Sequence, residues 1–387
     1  MYKIGTLNKI SPVGLGHLSD NYSVSDNLDD ASGIIVRSAD MHEMEFSPEL
    51  LAIARAGAGV NNIPLDKCAE EGIVVFNAPG ANANAVKELV LAGLLMVSRN
   101  IPSALIWASG LKEDVANAVE KGKKQFAGNE IKGKTLGVIG LGAIGVLVAN
   151  AARELGMDVI GYDPFISIKS AHNLNPAIPV VSDMASMLPD CDYITIHVPV
   201  LDSTRGMIDA RRFAQMKDGA VLLNFARGPL VNEDAMISAL KEGKLKHYVT
   251  DFPNDKIFGV EGVIATPHLG ASTSEAEDNC ATMAAEELMD YIENGNITNS
   301  VNFPACSLGS VAEGTVRICV LNKNIPSVLS SITSLFSETG TNIVDMTNKS
   351  KGDYACTLVD SDITKEAAAE IVSKISAIEG VIRARAI

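Results

Sequence analysis

"KTLGVIGLGAIGVLVANAARELGMDVIGYD", residues 134–163, decides the fold. A β-rich run, "KTLGVI", meets three glycines at Gly140, Gly142 and Gly145. A helical stretch then closes at Gly156, and a second β-rich run ends on Asp163. Strand, glycine turn, helix and strand in that order form one unit of a parallel, doubly wound sheet. In this setting Gly140 makes the tight turn, Gly142 admits a pyrophosphate, and Gly145 lets helix and strand pack closely. The helix N-terminus offers N–H groups and the positive end of its dipole to phosphate. A carboxylate at Asp163 accepts hydrogen bonds from ribose hydroxyls and repels a 2′-phosphate, so the expected cofactor is NAD rather than NADP.

The same alternation extends on both sides. "GIIVRSA" (33–39), "LLAIARAG" (50–57) and "GIVVFNA" (72–78) read as strands, with helical "PLDKCAEEG" between the last two. After Asp163, strand and helix alternate to about residue 270, and residues 272–295 give one long amphipathic helix. The tail reads strand, helix, strand, strand, helix, strand, the order of a ferredoxin-like module. The expected fold class is α/β: two doubly wound parallel-sheet (Rossmann-like) domains plus a C-terminal ferredoxin-like βαββαβ domain. The expected boundaries are a substrate-binding domain over 1–97 completed by 272–304, an NAD-binding domain over 98–271, a linker over 305–314 and the tail module over 315–387.

The chain has 387 residues, 47% hydrophobic and only 20% charged, which suits a multidomain globular enzyme. A formal charge of -15 argues against nucleic acid or an anionic membrane as partner. Six scattered cysteines form no Cys-x-x-Cys pair or Cys/His cluster, so no metal site is expected and a reducing, cytoplasmic setting is.

"NFARGPLV" puts Arg227 at the end of a strand, where ligands of open α/β sheets bind. A guanidinium there can grip a carboxylate and polarise the neighbouring carbonyl. His268 follows another strand, "GVIATP", and imidazole is suited to proton transfer near neutral pH. His197 in "ITIHVP" reads instead as a core residue.

"GLGAIG" with Asp163, "HVPVLDSTRGMI", "NFARGPLV" and "TPHLGAST" together resemble the ordered motifs of the D-isomer-specific 2-hydroxyacid dehydrogenases. The resemblance implies that Arg227 binds substrate, that His268 is the acid/base, and that a carboxylate orients it. It also implies that Ala143, Ile144, Pro199, Thr204, Phe225, Ala226 and Asp251 lie along the cofactor. "IIVRSA" and "ARAGAGVNNI" resemble the branch of the family that oxidises 3-phosphoglycerate, in which Arg37 and Arg55 would approach the phosphorylated substrate. Lys87 is a further candidate cation. The tail resembles the ACT regulatory domain, which implies a serine effector near Asn322, Asn324 and Asn342, with Asn322 replacing the usual histidine. The family resemblance also implies a homodimer, or a homotetramer through the tails.

The family's usual acid is a glutamate shortly after the Asp-x-Phe stretch, and "YVTDFPND" (248–255) has none. With one residue deleted before Phe252, Asp255 takes the acid's place, one methylene shorter. Two other readings stay open. One is a dehydrogenase for an unphosphorylated acid such as glyoxylate or hydroxypyruvate, and the other is an NAD-sensing, co-repressor-like binding protein.

Overall fold

A computed structural model describes residues 1–387. The chain divides into two compact units, one of Met1–Ala81 with Glu277–Ile387, the other of Asn82–Ala276.

The second unit holds a seven-stranded, wholly parallel sheet. Its order is Val263–Ala265, Leu245–Thr250, Ala220–Asn224, Tyr193–Ile196, Thr135–Ile139, Asp158–Tyr162 and Val180–Val181. The strand order reverses between Thr135–Ile139 and Tyr193–Ile196, which is where such sheets open a ligand crevice. Strands such as Ala220–Asn224 are buried at every residue because helices cover both faces. One of these helices is Ala83–Ser98, expected to lie in the first domain. Its Val86, Val90, Leu94 and Val97 share a core with Leu136, Val138, Leu223 and Val249. The absence of a side chain at Gly93 brings it against Phe225, where a Cβ would stand 3.0 Å from the ring. The boundary therefore falls after Ala81 rather than at residue 97.

The first unit carries a five-stranded parallel sheet ordered Tyr22–Ser25, Tyr2–Leu7, Gly33–Val36, Ala52–Arg55, Val74–Asn77. Its crevice lies between the ends of Tyr2–Leu7 and Gly33–Val36. The helix Ser274–Asn294 contributes Ala281, Ala284, Ala285, Leu288 and Tyr291 to this unit's core.

The tail forms a four-stranded antiparallel sheet ordered Ile343–Lys351, Tyr354–Ser361, Val316–Lys323, Val381–Ala386. Helices Val328–Glu338 and Lys365–Ser376 make it ferredoxin-like. Ile318, Val320 and Val359 meet those helices through Ile332, Phe336 and Ile371. Cys319, Leu321, Cys356 and Leu358 on the opposite face join Leu288, Tyr291, Phe303 and Cys306. The module thus belongs to the first unit and is not an appendage on a loose linker. Residues 305–314 are bonded in: Cys306 pairs with Ile297, and Asn296 Nδ2 donates to the Gly309 carbonyl at 3.1 Å. No single helix is long and apolar enough to cross a membrane.

Candidate active site

The nucleotide-binding features lie at the crevice of the seven-stranded sheet. Gly140 ends the first strand at φ 91°, and a Cβ there would stand 2.6 Å from the His197 carbonyl oxygen, so only glycine fits. A Cβ at Gly145 would meet the Gly140 oxygen at 1.9 Å, which holds the helix against the turn. Space beside Gly142 is open, as a diphosphate approaching the backbone requires. Gly142 caps the helix Ala143–Glu154, so Ala143 and Ile144 occupy its first turn, where N–H groups lack intrahelical partners. Asp163 braces the turn, its carboxylate accepting from Leu141 N and Phe165 N, both at 2.8 Å. Thr204 Oγ1 donates to the Pro199 carbonyl at 2.7 Å and accepts from Leu201 N, fixing the loop that follows the strand Tyr193–Ile196.

The chemistry-bearing residues follow three neighbouring strands. Asn224, fully buried at the end of its strand, accepts from Ala226 N and Arg227 N and donates to the Arg227 carbonyl at 2.9 Å. That closed turn aims Arg227, whose Nη1 donates to the Ala226 carbonyl at 2.7 Å. On the next strand, Thr250 Oγ1 donates to the Asn224 carbonyl at 2.9 Å and accepts from Phe252 N at 3.1 Å. Phe252 becomes a shared platform: the Arg227 guanidinium carbon stands 5.8 Å from its centroid and the His268 ring 4.5 Å. Arg227 and His268 are otherwise exposed, free to meet a ligand.

Asp251 is wholly buried behind them. Its Oδ2 accepts from Gly270 N at 3.0 Å, tying the carboxylate to the loop that carries His268. Burial raises its pKa; the Gly270 amide and the His268 charge pull the other way. Its Oδ1 is buried without a hydrogen-bond partner, a position that an amide donor such as a nicotinamide carboxamide can fill. Together with the open space at Gly142, this orphaned oxygen shows that the residues present fit NAD.

Asp255, the acid expected from the spacing, is exposed in a cleft with Pro253, Asn254 and Phe258. It forms neither a hydrogen bond nor an ion pair with His268. The turn from Asn254 to Phe258 accounts for this: Asn254 caps it through Lys256 N and Ile257 N, and Ile257 is buried, leaving Asp255 toward solvent. Sequence reasoning missed Asn224, Thr250 and Phe252 as supports. The only cue was their place beside Arg227 and Asp251 at strand ends.

His197 belongs to neither group. Its Nε2 meets Thr195 Oγ1 at 2.9 Å, and burial pushes its pKa down to about 3, so it is neutral at pH 7.

In the first unit, Arg37 follows Gly33–Val36 and Arg55 ends Ala52–Arg55. Arg37 Nη2 lies 2.7 Å from Glu277 Oε1. Lys87, on the helix Ala83–Ser98 of the second unit, donates to Asn84 Oδ1 at 2.6 Å. In the tail, Asn322 is buried with its Nδ2 on the Lys323 carbonyl and its Oδ1 unpartnered. Asn324 donates to the Gly352 carbonyl at 3.0 Å. Asn342 precedes Ile343, which pairs with Ser361 level with Val316, while Asn324 follows Lys323 at the far end of that strand, so the two asparagines stand at opposite ends of the sheet.

Residues 91–270 match the model of the D-isomer specific 2-hydroxyacid dehydrogenase NAD-binding domain. The chain is 36% identical over 353 residues to a Haemophilus influenzae protein named D-3-phosphoglycerate dehydrogenase, covering 88% of this chain and 82% of that one. It is 36% identical over 288 residues to the human protein of that name, covering 72% of this chain but 52% of the human one. The NAD+-bound 3-phosphoglycerate dehydrogenase of Entamoeba histolytica superposes with a TM-score of 0.62 at 28% identity, over 78% of this chain and 98% of that one. With its nucleotide turn, its Arg227 and His268 and these relatives, the chain belongs to the D-isomer-specific 2-hydroxyacid dehydrogenase family.

Proposed function

We propose that the protein oxidises D-3-phosphoglycerate to 3-phosphohydroxypyruvate, the first step of phosphorylated L-serine biosynthesis. The observation that carries this reading is the convergence of Arg227 and His268 on Phe252 at the strand ends of an NAD-type sheet. NAD, when bound, supplies the hydride acceptor. Its contacts would be Gly140, Gly142, Ala143, Ile144, Gly145, Asp163, Pro199, Thr204, Phe225, Ala226 and Asp251. His268 takes the proton of the substrate hydroxyl as general base. Arg227 holds the carboxylate and stabilises the developing carbonyl oxygen. The contacts of Asp251 with the 268–270 loop favour it, over Asp255, as the carboxylate that acts on His268.

Arg37 and Arg55 suit a phosphate, which carries about two negative charges near pH 7. Lys87, held by Asn84, is the weaker candidate. The test is a steady-state assay of phosphohydroxypyruvate with NADH against glyoxylate and hydroxypyruvate, on wild type and His268→Ala. The expected result is preference for the phosphorylated acid and a loss of about 100-fold or more in turnover for the variant. Equal use of all three acids would sink the substrate assignment.

The ferredoxin-like module is proposed as an ACT-type regulatory domain taking serine through Asn322, Asn324 and Asn342. Because Asn324 and Asn342 are at opposite ends of one sheet, one ligand touches both only between two copies. A homodimer is proposed through the second unit's helix Ile101–Ser109, where Leu105 and Ile106 are 63% and 75% exposed. Light scattering of Ile106→Glu and serine titration of the wild-type assay check these two readings. Six free, buried cysteines fit a cytoplasmic setting.

A further inference from the structure

At the crevice of the five-stranded sheet the chain sets a lysine and a carboxylate beside its arginines. Asn8, just past the first strand, adopts a left-handed φ of 70°. Its Oδ1 accepts from Ser38 N at 2.8 Å and Ala39 N at 2.7 Å, lashing the end of Tyr2–Leu7 to the end of Gly33–Val36. Lys9 therefore stands on one wall of a small cleft whose other wall carries Arg37. Ala56, next to Arg55, lines the same cleft. Arg55 pairs in register with Val36, so Arg37 and Arg55 leave the ends of neighbouring strands. Glu277 projects from that helix into the cleft, onto Arg37. Ser11 Oγ donates to Asp278 Oδ1, pinning the Lys9 loop to the helix beside Glu277.

Two cations and one carboxylate, Lys9, Arg37 and Glu277, thus share a crevice of the kind that takes ligands in open α/β sheets, with Arg55 at the end of the adjoining strand. We propose that Glu277 is a specificity-determining residue: it occupies Arg37 as an internal anion that the phosphate of the substrate, or a like dianion, drawn also by Lys9 and Arg55, displaces. This rests on the reading that the substrate is phosphorylated. A phosphate offers near-double charge and three acceptor oxygens, so it outcompetes one carboxylate for a cluster of cations. A small acid without a phosphate has nothing to exchange for Glu277 and gains nothing in this cleft. Breaking a half-exposed ion pair is a small cost, so the device adjusts affinity without blocking it.

The experiment compares wild type, Glu277→Gln and Lys9→Met. It measures kcat/KM for phosphohydroxypyruvate and hydroxypyruvate and competitive inhibition by inorganic sulfate. Glu277→Gln should raise the phosphorylated-to-unphosphorylated ratio about threefold to fivefold and strengthen sulfate inhibition by a similar factor, the range for one half-exposed ion pair. Lys9→Met should move both the other way. A raised KM for the phosphorylated substrate in Glu277→Gln would mean that the carboxylate orients Arg37 rather than competing for it, and no change would mean that it does neither. Either result overturns the proposal. If wild type shows no preference for the phosphorylated acid, the substrate reading fails, while the sulfate comparison still reports on Glu277 by itself. Thermal unfolding of both variants controls for folding.

Discussion

Gly57→Ala tests whether the position of Arg55, and not only its presence, matters. Gly57 has φ 146°, donates to the Arg55 carbonyl at 2.7 Å and accepts from Ala78 N at 2.9 Å, so the chain folds sharply back beneath the arginine. A Cβ built on Gly57 stands 1.5 Å from Arg55 Nη1 and 2.7 Å from Cζ. Ordinary contact needs about 3.5 Å, so the guanidinium must retreat by about 2 Å. The colliding atoms are the far end of a flexible side chain, so the fold survives and the arginine yields. A charge-assisted hydrogen bond does not survive a 2 Å shift, and its loss costs about 1.5–3 kcal/mol, or about 10- to 150-fold in affinity. The backbone adds about 1 kcal/mol of lost stability, because alanine resists this φ. The assay is kcat/KM for phosphohydroxypyruvate relative to hydroxypyruvate, with a urea midpoint to register the stability cost separately. Arg55→Ala sets the limiting loss. If Gly57→Ala keeps the wild-type ratio while Arg55→Ala loses it, the reasoning from the collision is refuted.

Asp251→Asn should lower turnover at least tenfold, and Asp255→Asn should leave it within about twofold; the reverse order would return the acid's role to Asp255. Glu287, buried with Oε2 unpartnered and Oε1 accepting from Asn299, has its pKa pushed up to about 7 by burial. The native state then holds a proton that the unfolded chain has released, so stability falls as pH rises from about 4.5 through about 7. Between pH 5.5 and pH 8, wild type should lose about 2 kcal/mol more than Glu287→Gln in urea titrations. Arg317 is fully buried, with Nε and Nη2 on Asp360 at 2.6 and 2.8 Å. Arg317→Met strands that carboxylate and should cost about 3–5 kcal/mol by the same method; a loss below about 1 kcal/mol would count against a buried pair.

Local patterns carried much of the fold. The glycine turn at 140–145 and the β-rich runs around it announce a parallel sheet because that turn's geometry is local, and the tail's element order announces a ferredoxin-like module for the same reason. Boundaries between units depend on distant packing: by sequence order the helix Ala83–Ser98 continues the first domain, but Phe225 and Val249 pack against its Gly93 and hold it in the second unit. Arg227 and His268 were legible because each follows an apolar strand. The supports Asn224, Thr250 and Phe252 were not, since an asparagine or threonine that closes a turn looks like any loop residue until its partners are known. Glu277 was invisible for the opposite reason. On a helix a glutamate reads as solvated, and only the fold brings Arg37, some 240 residues away in sequence, onto it.

The way the tail module is fastened governs how the proposed regulation can be tested. The last carbonyls of the helix Ser274–Asn294 lack the donors of a continuing helix, apart from Gly295 N on the Tyr291 carbonyl. Arg385 donates to the Tyr291 and Ile292 carbonyls and stacks 4.8 Å over the Tyr291 ring, while Arg317 donates to the Asn294 carbonyl at 2.8 Å. Cations at this end also complement the helix dipole. Deleting the module therefore strips the caps from the helix and uncovers Phe303 and Cys306, which meet Tyr354 and Cys356 of its sheet. That same helix, about 31 Å long, carries Glu277 in its first turn. A truncated chain that lost activity would report a damaged helix as readily as a missing effector site. The proposed regulation is separable from folding only by changes on the module's exposed surface. Asn324→Ala, which gives up one hydrogen bond to the Gly352 carbonyl and disturbs none of the arginine caps, meets that condition.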